Sequence, residues 1–194
     1  NNADIITSTE MLEKVYGQSP EGAIKKEITH ISDHYRAFIE AAPFLVIATV
    51  GPEGLDCSPR GDPAGFIRVA DNHTVIIPDR RGNNRVDSLR NIVRDNRISL
   101  LFLIPGIGET IRINGTAKIS TNPDLCATFS IQNKNPTSVI IVSLGSIYYQ
   151  CPKALVRSKL WDPDSIIPRG ELPTTGNILE SITKGEINGD DYDK

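Results

Sequence analysis

The chain has 194 residues, a formal net charge of −3 and 39% hydrophobic residues. This length fits one domain with an appendage, and the composition excludes a mainly disordered protein. No apolar stretch approaches the ~18 residues that span a bilayer, and no secretory signal is recognisable. We therefore expect a cytoplasmic protein without a membrane partner. The negative net charge also disfavours nucleic acid as a partner.

The first 43 residues are predicted to be helical. Ser8 and Thr9 can cap a short helix that runs through Tyr16 and is ended by Gly17. A second helix is expected over about residues 29–42, because its apolar residues recur on one face. Pro43 then ends that helix.

The following residues alternate between short β-type stretches and turns. The predicted strands are 44–50, 55–58, 65–70, 74–77, 98–104, 110–120 and 139–150. Helices are predicted over 86–94, 123–130 and 152–159. About seven strands at hairpin spacing indicate an antiparallel barrel or sandwich rather than a doubly wound sheet. The residues after Trp161 are rich in Pro, Gly, Asp and Ser, which predicts an extended arm or tail.

Charge is distributed unevenly along the chain. Residues 162–194 contain eight acids and three bases, so the preceding residues carry a net charge of +2. Eight of the twelve arginines lie between residues 57 and 97, a stretch without lysine. Because arginine recognises phosphate through paired hydrogen bonds, this cluster favours a phosphorylated ligand.

The cysteines and histidines do not predict a disulfide framework or a metal site. Cys57, Cys126 and Cys151 are odd in number and widely spaced, and the three histidines lack zinc-ligand spacing. We therefore expect reduced thiols and no bound metal.

The densest candidate site is the stretch Pro78–Leu89, between a predicted strand and a predicted helix; we call its residues 78–86 the arginine loop. Its Gly and Asn residues can turn backbone amides inward, and the following helix would direct its free N–H groups at the loop. Arg85 lies at that helix start. The loop either binds a phosphomonoester or is a basic, solvated turn.

Two further segments can carry ligand contacts. Ser58-Pro-Arg-Gly-Asp62 interrupts a strand, either as a bulge that aims a side chain at a ligand or as a plain kink. In the helix after Cys151, Lys153 and Arg157 share one edge, where they are either solvated or facing an anion. Cys151 itself is either a thiol activated by its position at the helix start or a buried structural residue.

Taken in order, these segments resemble the pyridoxamine 5'-phosphate oxidase-like, FMN-binding split-barrel family. The chain is similar to a bacterial branch of FMN-dependent enzymes of unassigned substrate, over about residues 11–163. The matching stretches are Phe38-Ile39, Pro43-Phe44, Ala48-Thr49, Ser58–Asp62, Pro78-Asp79, Gly82–Arg85, Leu101–Gly106, Glu109–Gly115 and Cys151–Trp161.

The resemblance implies a mainly β fold with flanking helices, built on a six-stranded antiparallel split β-barrel that binds FMN. It implies N-terminal helices over 1–43, the barrel over 44–161 and an acidic C-terminal arm or tail over 162–194. It further implies a homodimer with FMN in a groove between the subunits.

The resemblance also assigns site residues. The positions that hold the FMN phosphate are Asn84 and Arg85, of which only Arg85 keeps a positive charge. The other implied cofactor-binding residues are Ser58, Arg60, Pro78, Asp79, Asn83 and Thr110. The vitamin B6-binding signature is absent, so vitamin B6 oxidase activity is not expected. The candidates for substrate contact are Tyr149, Cys151, Lys153 and Arg157, and no catalytic acid or base is identified.

Three functions are therefore compared. The first is an FMN-dependent oxidoreductase that acts on a small cytosolic molecule by hydride transfer at flavin N5. The second is a flavin- or heme-binding sensor or carrier without turnover. The third is a non-enzymatic, dimeric interaction protein whose arginines are only solvated.

Overall fold

Seven β-strands and eight α-helices make up the part of the chain that this computed structural model describes, residues 4–194; residues 1–3 of the predicted N-terminal segment lie outside it. The strands are β1 (Phe44–Gly51), β2 (Gly54–Gly61), β3 (Arg68–Asp71), β4 (Thr74–Asp79), β5 (Arg97–Leu103), β6 (Thr110–Ser120) and β7 (Ser138–Gln150). The helices are α1 (Thr9–Tyr16), α2 (Glu21–Lys25), α3 (Asp33–Ala41), α4 (Asp87–Arg94), α5 (Pro123–Ala127), α6 (Lys153–Ser158), α7 (Thr175–Ile182) and α8 (Gly189–Tyr192).

All seven strands belong to one antiparallel sheet in the order β2-β1-β5-β6-β7-β4-β3. The mainly β architecture with flanking helices is as predicted. The expected number of six strands is corrected to seven. The period-two pattern of the sequence already indicated about seven strands. The open order leaves β2 and β3 as the two edges of the sheet.

One face of the sheet forms the main hydrophobic core. Alternate residues of the central strands are buried there, which is the expected pattern for a half-covered antiparallel sheet. Its fully buried side chains include Leu45, Ile47, Leu100, Phe102, Ile111, Ile113 and Ile147. A smaller cluster packs Cys126 of α5 with Phe129, Ile76 and Val139.

The first helix matches its prediction at both ends. The Ser8 hydroxyl accepts a hydrogen bond from the Met11 amide, and Gly17 ends α1 with φ of +70°. The helix predicted over 29–42 begins later than expected, at Asp33. The reason is that Ile28 pairs with Ile147 of β7 through backbone hydrogen bonds, and Ser32 then caps α3.

Strand β2 corrects the expectation of an interrupted strand at Ser58–Asp62. Its pairing with β1 continues without a bulge from Gly54 to Gly61. Pro59 is tolerated because β2 is an edge strand, so the missing amide proton costs no interior hydrogen bond.

Helix α4 is fixed on the sheet by two side-chain hydrogen bonds. Asn91 Nδ2 donates to Thr49 Oγ1 at 3.1 Å, and both residues are buried. Ser88 Oγ donates to Asp56 Oδ2 at 3.1 Å, which ties the first turn of α4 to β2. Together these contacts hold the N-terminal end of α4 beside the edge strand.

The chain divides into two units, one ending at Ala154 and the other covering Leu155–Lys194. The second unit is helical where the sequence predicted an extended arm. Its helix α7 begins with a capping box formed by Thr174 and Asn177, and α7 packs closely on α8 at Gly176. No helix within residues 4–194 combines the length and apolar character needed to cross a membrane.

Candidate functional site

An open cavity of about 510 Å³ lies where β2, the end of β4, the arginine loop and the first turn of α4 meet. Cavities of this volume are typical of sites that bind small molecules. Strands β2 and β4 are far apart in the order of the sheet, so the sheet must curl for both to line one cavity.

A salt bridge at this cavity joins the segments that follow strands β2 and β4. Arg80, which follows β4, donates from Nε to Oδ2 of Asp62, which follows β2, at 2.7 Å. Arg80 Nη1 also donates to the Phe129 carbonyl oxygen at 2.7 Å. Because its donors have these partners, Arg80 acts as a structural residue of the cavity wall.

Strand β2 presents one polar face to the cavity. Asp56, Ser58 and Arg60 alternate along it and are each half-buried. Arg60 Nη1 donates to Ser58 Oγ at 2.5 Å and to the Pro59 carbonyl oxygen at 2.8 Å. No carboxylate of the described chain lies within ion-pair distance of Arg60. Its charge is therefore available to an anionic ligand.

Asp79 at the end of β4 has a perturbed carboxyl group. Burial raises the pKa of Asp79 above its ordinary value, and the positive charge of Arg60 partly opposes this rise. The cavity thus contains a cation and a half-buried carboxyl that influence each other. Such a pair can bind a ligand that has both an acidic group and a hydrogen-bonding group.

The arginine loop leads into α4 with a strained backbone. Asn84 has φ of +58° and Val86 has φ of +50°, both in the left-handed region. That region is uncommon for a β-branched residue such as Val86. Val86 is the N-cap of α4, and no side chain caps the helix. The first-turn amides of α4 therefore remain available beside the cavity, in the arrangement that favours an anion.

Arg85 lies at the mouth of this cavity, and its side chain is 79% exposed. Its Nε donates to Oδ2 of Asp87 in an ion pair. The hydrogen bond to Asp87 raises the pKa of Arg85 above its already high value. The neighbouring Arg81 is exposed and has no acidic partner within ion-pair distance in residues 4–194.

Seven of the eight predicted cofactor-binding residues line the cavity. They are Ser58, Arg60, Pro78, Asp79, Asn83, Asn84 and Arg85. Thr110 does not: it is buried at the start of β6, where its hydroxyl donates to Gln150 Oε1 at 3.4 Å.

The predicted substrate residues also lie outside the lining of this cavity. Tyr149 is near the end of β7, with Lys26 Nζ 4.9 Å from its ring centroid. Cys151 is an exposed free thiol, and Lys153 and Arg157 are exposed on α6. The roles of all four residues stay predictions.

Several lining residues were missed from the sequence, among them Asp56, Thr137 and Ser138. Asp87 and Ser88 stood in the stretch Pro78–Leu89 that the sequence singled out, without a role of their own, and they form the first turn of α4. Ser138 could not be found from the sequence, because only the register that pairs it with Asp79 brings it to the cavity. The part of the chain that the structure describes holds no cluster of three or more metal-ligating acidic, His or Cys side chains.

A family model described as pyridoxamine 5'-phosphate oxidase matches residues 31–151, more than half of the chain. The chain belongs to the pyridoxamine 5'-phosphate oxidase family. The matched range contains the whole sheet and every residue that lines the cavity. No curated protein matches the chain.

Comparison with solved structures finds similarity at low sequence identity, and the fold is shared with the one match below whose TM-score exceeds 0.5. HupZ of Group A Streptococcus is 20% identical, with a TM-score of 0.51 over 62% of this chain and 94% of HupZ. A candidate pyridoxamine 5'-phosphate oxidase of Lactobacillus delbrueckii is 15% identical, with a TM-score of 0.49 over 62% of this chain and 95% of that chain. General Stress Protein 26 of Bacillus anthracis is 15% identical, with a TM-score of 0.45 over 59% of this chain and 88% of that chain.

Proposed function

We propose that this protein is an FMN-dependent oxidoreductase that acts on a small molecule. The observation that carries the proposal is the cavity of about 510 Å³, because it combines a helix start without a side-chain cap with Arg60 and Arg81, which have no acidic partner within ion-pair distance among residues 4–194. These features suit a phosphate group attached to a larger polar and aromatic molecule. Membership of the pyridoxamine 5'-phosphate oxidase family supports FMN as that molecule.

The residues of the cavity divide naturally into two groups. The first-turn amides of α4, with Arg85 and Arg81 nearby, suit the phosphate. Ser58, Arg60 and Asp79 lie on β2 and β4 and offer donors and acceptors to the ribityl chain and the ring. A positive charge such as that of Arg60 near the ring would also raise the reduction potential of the flavin.

FMN, when bound, supplies two-electron chemistry by accepting a hydride at flavin N5 and passing it to an acceptor. The chain's own residues would bind the cofactor, orient the substrate and limit access of water. Asp79 is the lining carboxyl with a raised pKa, so it can hold a proton at a higher pH than an ordinary aspartate.

We also propose that the active form is a homodimer, with FMN in a groove between subunits in the manner of a split barrel. The cavity is open to solvent on one side in the single chain, and a second copy would supply the missing wall. In such a dimer Thr110, Tyr149 and Cys151 of one subunit become candidates for contact with the cofactor or substrate of the other. This accounts for predicted residues that lie outside the cavity of their own chain.

The first experiment is a binding titration with FMN, followed by absorption and fluorescence. The proposal predicts a flavin absorption spectrum in the bound protein and quenching of flavin fluorescence. A protein refolded with excess FMN that retains none would overturn the cofactor assignment, and a Soret band would identify heme instead.

A second experiment tests the phosphate anchor. We expect Arg85→Ala to weaken FMN binding by about tenfold to a hundredfold, the range for hydrogen bonds to charged groups. The matched control is Arg97→Ala, because Arg97 also pairs with an aspartate two residues away but lies outside the cavity. Equal FMN affinity in the Arg85→Ala variant and the parent chain would show that Arg85 does not anchor the phosphate.

Turnover is tested separately from binding. Reduction of the bound flavin by NADH is compared with reduction by NADPH under anaerobic conditions, and a screen of electron acceptors follows. Bound FMN that neither donor reduces, and that no tested substrate reduces, would favour a carrier or sensor over an enzyme.

A further inference from the structure

The ion pair between Arg85 and Asp87 has a position that distinguishes it from an ordinary surface pair. It lies at the mouth of the cavity, at the N-terminal end of α4. Asp87 is the first residue of that helix, where the helix dipole stabilises a negative charge. The carboxylate of Asp87 thus meets the same two positive features that suit a phosphate: a guanidinium and a helix start.

Among the described residues, the other acidic side chains near the cavity do not pair with Arg85. Asp62 is bound to Arg80, and Asp56 accepts a hydrogen bond from Ser88. Asp56 adds only a weaker, longer-range attraction to Arg85. Asp87 alone among the lining acids is in direct contact with the proposed phosphate anchor.

We propose that Asp87 is a positioning residue that competes with the cofactor phosphate for Arg85. In the empty protein, the carboxylate holds the guanidinium at the mouth of the cavity. When the phosphate binds, Arg85 exchanges the carboxylate for the phosphate, so part of the binding free energy is spent on breaking the ion pair. This inference rests on the proposed function and extends it to a residue that weakens cofactor affinity.

The main test is Asp87→Asn, which keeps the size of the side chain and removes its charge. We expect the variant to bind FMN about twofold to fivefold more tightly than the parent chain, which is the range for exposed ion pairs. Riboflavin has the same ring and ribityl chain without phosphate, so its affinity should not change. Inorganic phosphate, titrated by NMR of the arginine loop amides, should bind the variant more tightly.

Asp95→Asn is the matched control. Asp95 pairs with Arg97 at 2.6 Å, also two residues apart, but at the C-terminal end of α4 and outside the cavity. This control should leave the affinity for FMN unchanged.

A double-mutant cycle identifies the route by which Asp87 acts. If Asp87 acts through Arg85, then adding Asp87→Asn to Arg85→Ala should leave the FMN affinity of the single Arg85→Ala variant unchanged. If Asp87 only repels the phosphate, the same gain should appear with or without Arg85, and the proposed competition would be wrong. Thermal unfolding of the empty variant provides a second readout: loss of the charge at the start of α4 should lower stability even though affinity rises.

The outcomes separate the two proposals. A parent chain that binds no FMN removes the proposed function, and this inference with it. A parent chain that binds FMN, with an Asp87→Asn variant of equal or lower affinity, leaves the function in place and overturns the competition. A gain for riboflavin equal to the gain for FMN would also overturn it, because the phosphate would then have no part in the effect.

Discussion

At the scale of single residues, the arginine cluster contains side chains with different tasks. Arg80, which follows β4, is bound to Asp62, which follows β2, and Arg85 is paired with Asp87 at the cavity mouth. Arg60 has no direct acidic partner in the described residues and contacts Ser58. Whether a given arginine can bind a ligand therefore depends on the groups that surround its guanidinium.

Asp79 gives a prediction about pH. Burial raises the pKa of Asp79 in the folded chain, so the folded state holds the proton more tightly than the unfolded state. The contribution of Asp79 to the free energy of unfolding therefore falls as pH rises from its ordinary pKa of 3.8 through the folded value. We expect Asp79→Asn to be more stable than the parent chain at pH 7, with a difference that shrinks below about pH 4.

The measurement is urea unfolding of ligand-free protein, followed by circular dichroism at several pH values. Asp95→Asn gives a contrast of opposite sign, because hydrogen bonds from Arg97 lower the pKa of Asp95. That control should lose stability at pH 7 and recover as pH falls. An Asp79→Asn variant less stable than the parent at pH 7 would contradict the prediction.

At the scale of elements, the junction between the arginine loop and α4 combines strain with an unfilled cap. Val86 occupies the left-handed region at the N-cap, although β-branched residues disfavour it. The anchors of α4 lie further along the helix, at Ser88 and Asn91. These contacts hold the helix in place. The loop therefore enters α4 with an unfavourable backbone conformation at Val86, and such conformations are often found at binding sites.

Replacement of Val86 by glycine tests this strain. A left-handed conformation costs a residue other than glycine about 1–2 kcal/mol. Removal of this cost should exceed the entropic cost of introducing glycine, so Val86→Gly should be about 0.5–1 kcal/mol more stable than the parent chain. The matched control is Val93→Gly, since Val93 is 78% exposed within α4 and has no such strain. That control should lose about 0.5 kcal/mol in urea unfolding. A similar loss in both variants would show that Val86 is not strained.

At the scale of the whole molecule, the net charge of −3 combines an acidic C-terminal segment with a mildly basic remainder. The structure divides the chain close to this change in charge, after Ala154. The unit that ends at Ala154 contains the sheet and the cavity, so the proposed cofactor site belongs to it alone. The open side of that cavity is the reason to expect a second subunit.

The proposed homodimer predicts a defined mass in solution. Sedimentation equilibrium of FMN-bound protein should give twice the chain mass of 21.2 kDa. Dilution should release FMN as the dimer dissociates, because the second wall of the groove would be lost. A flavin-bound species of 21.2 kDa that persists at high protein concentration would contradict the dimer.

Local sequence was sufficient for most of the elements. Helix α1, with Ser8 and Gly17 at its ends, and the alternating strand β6 follow from capping and period-two patterns that neighbouring residues define. The arginine loop could also be found, because the end of β4, the loop and the start of α4 are continuous in sequence. The family resemblance drew attention to seven of the residues that line the cavity.

The sequence by itself determined the mainly β fold, the arginine loop and the family of this protein. Only the tertiary structure decided that β2 faces that loop, because the curl of the seven-stranded sheet brings β2 close to β4, which is distant from it in the strand order. Only the tertiary structure separated Arg80, bound to Asp62, from Arg60, which has no acidic partner among the described residues. The physical reason is that a charge acquires its role from neighbours in space, and those neighbours are often distant in sequence.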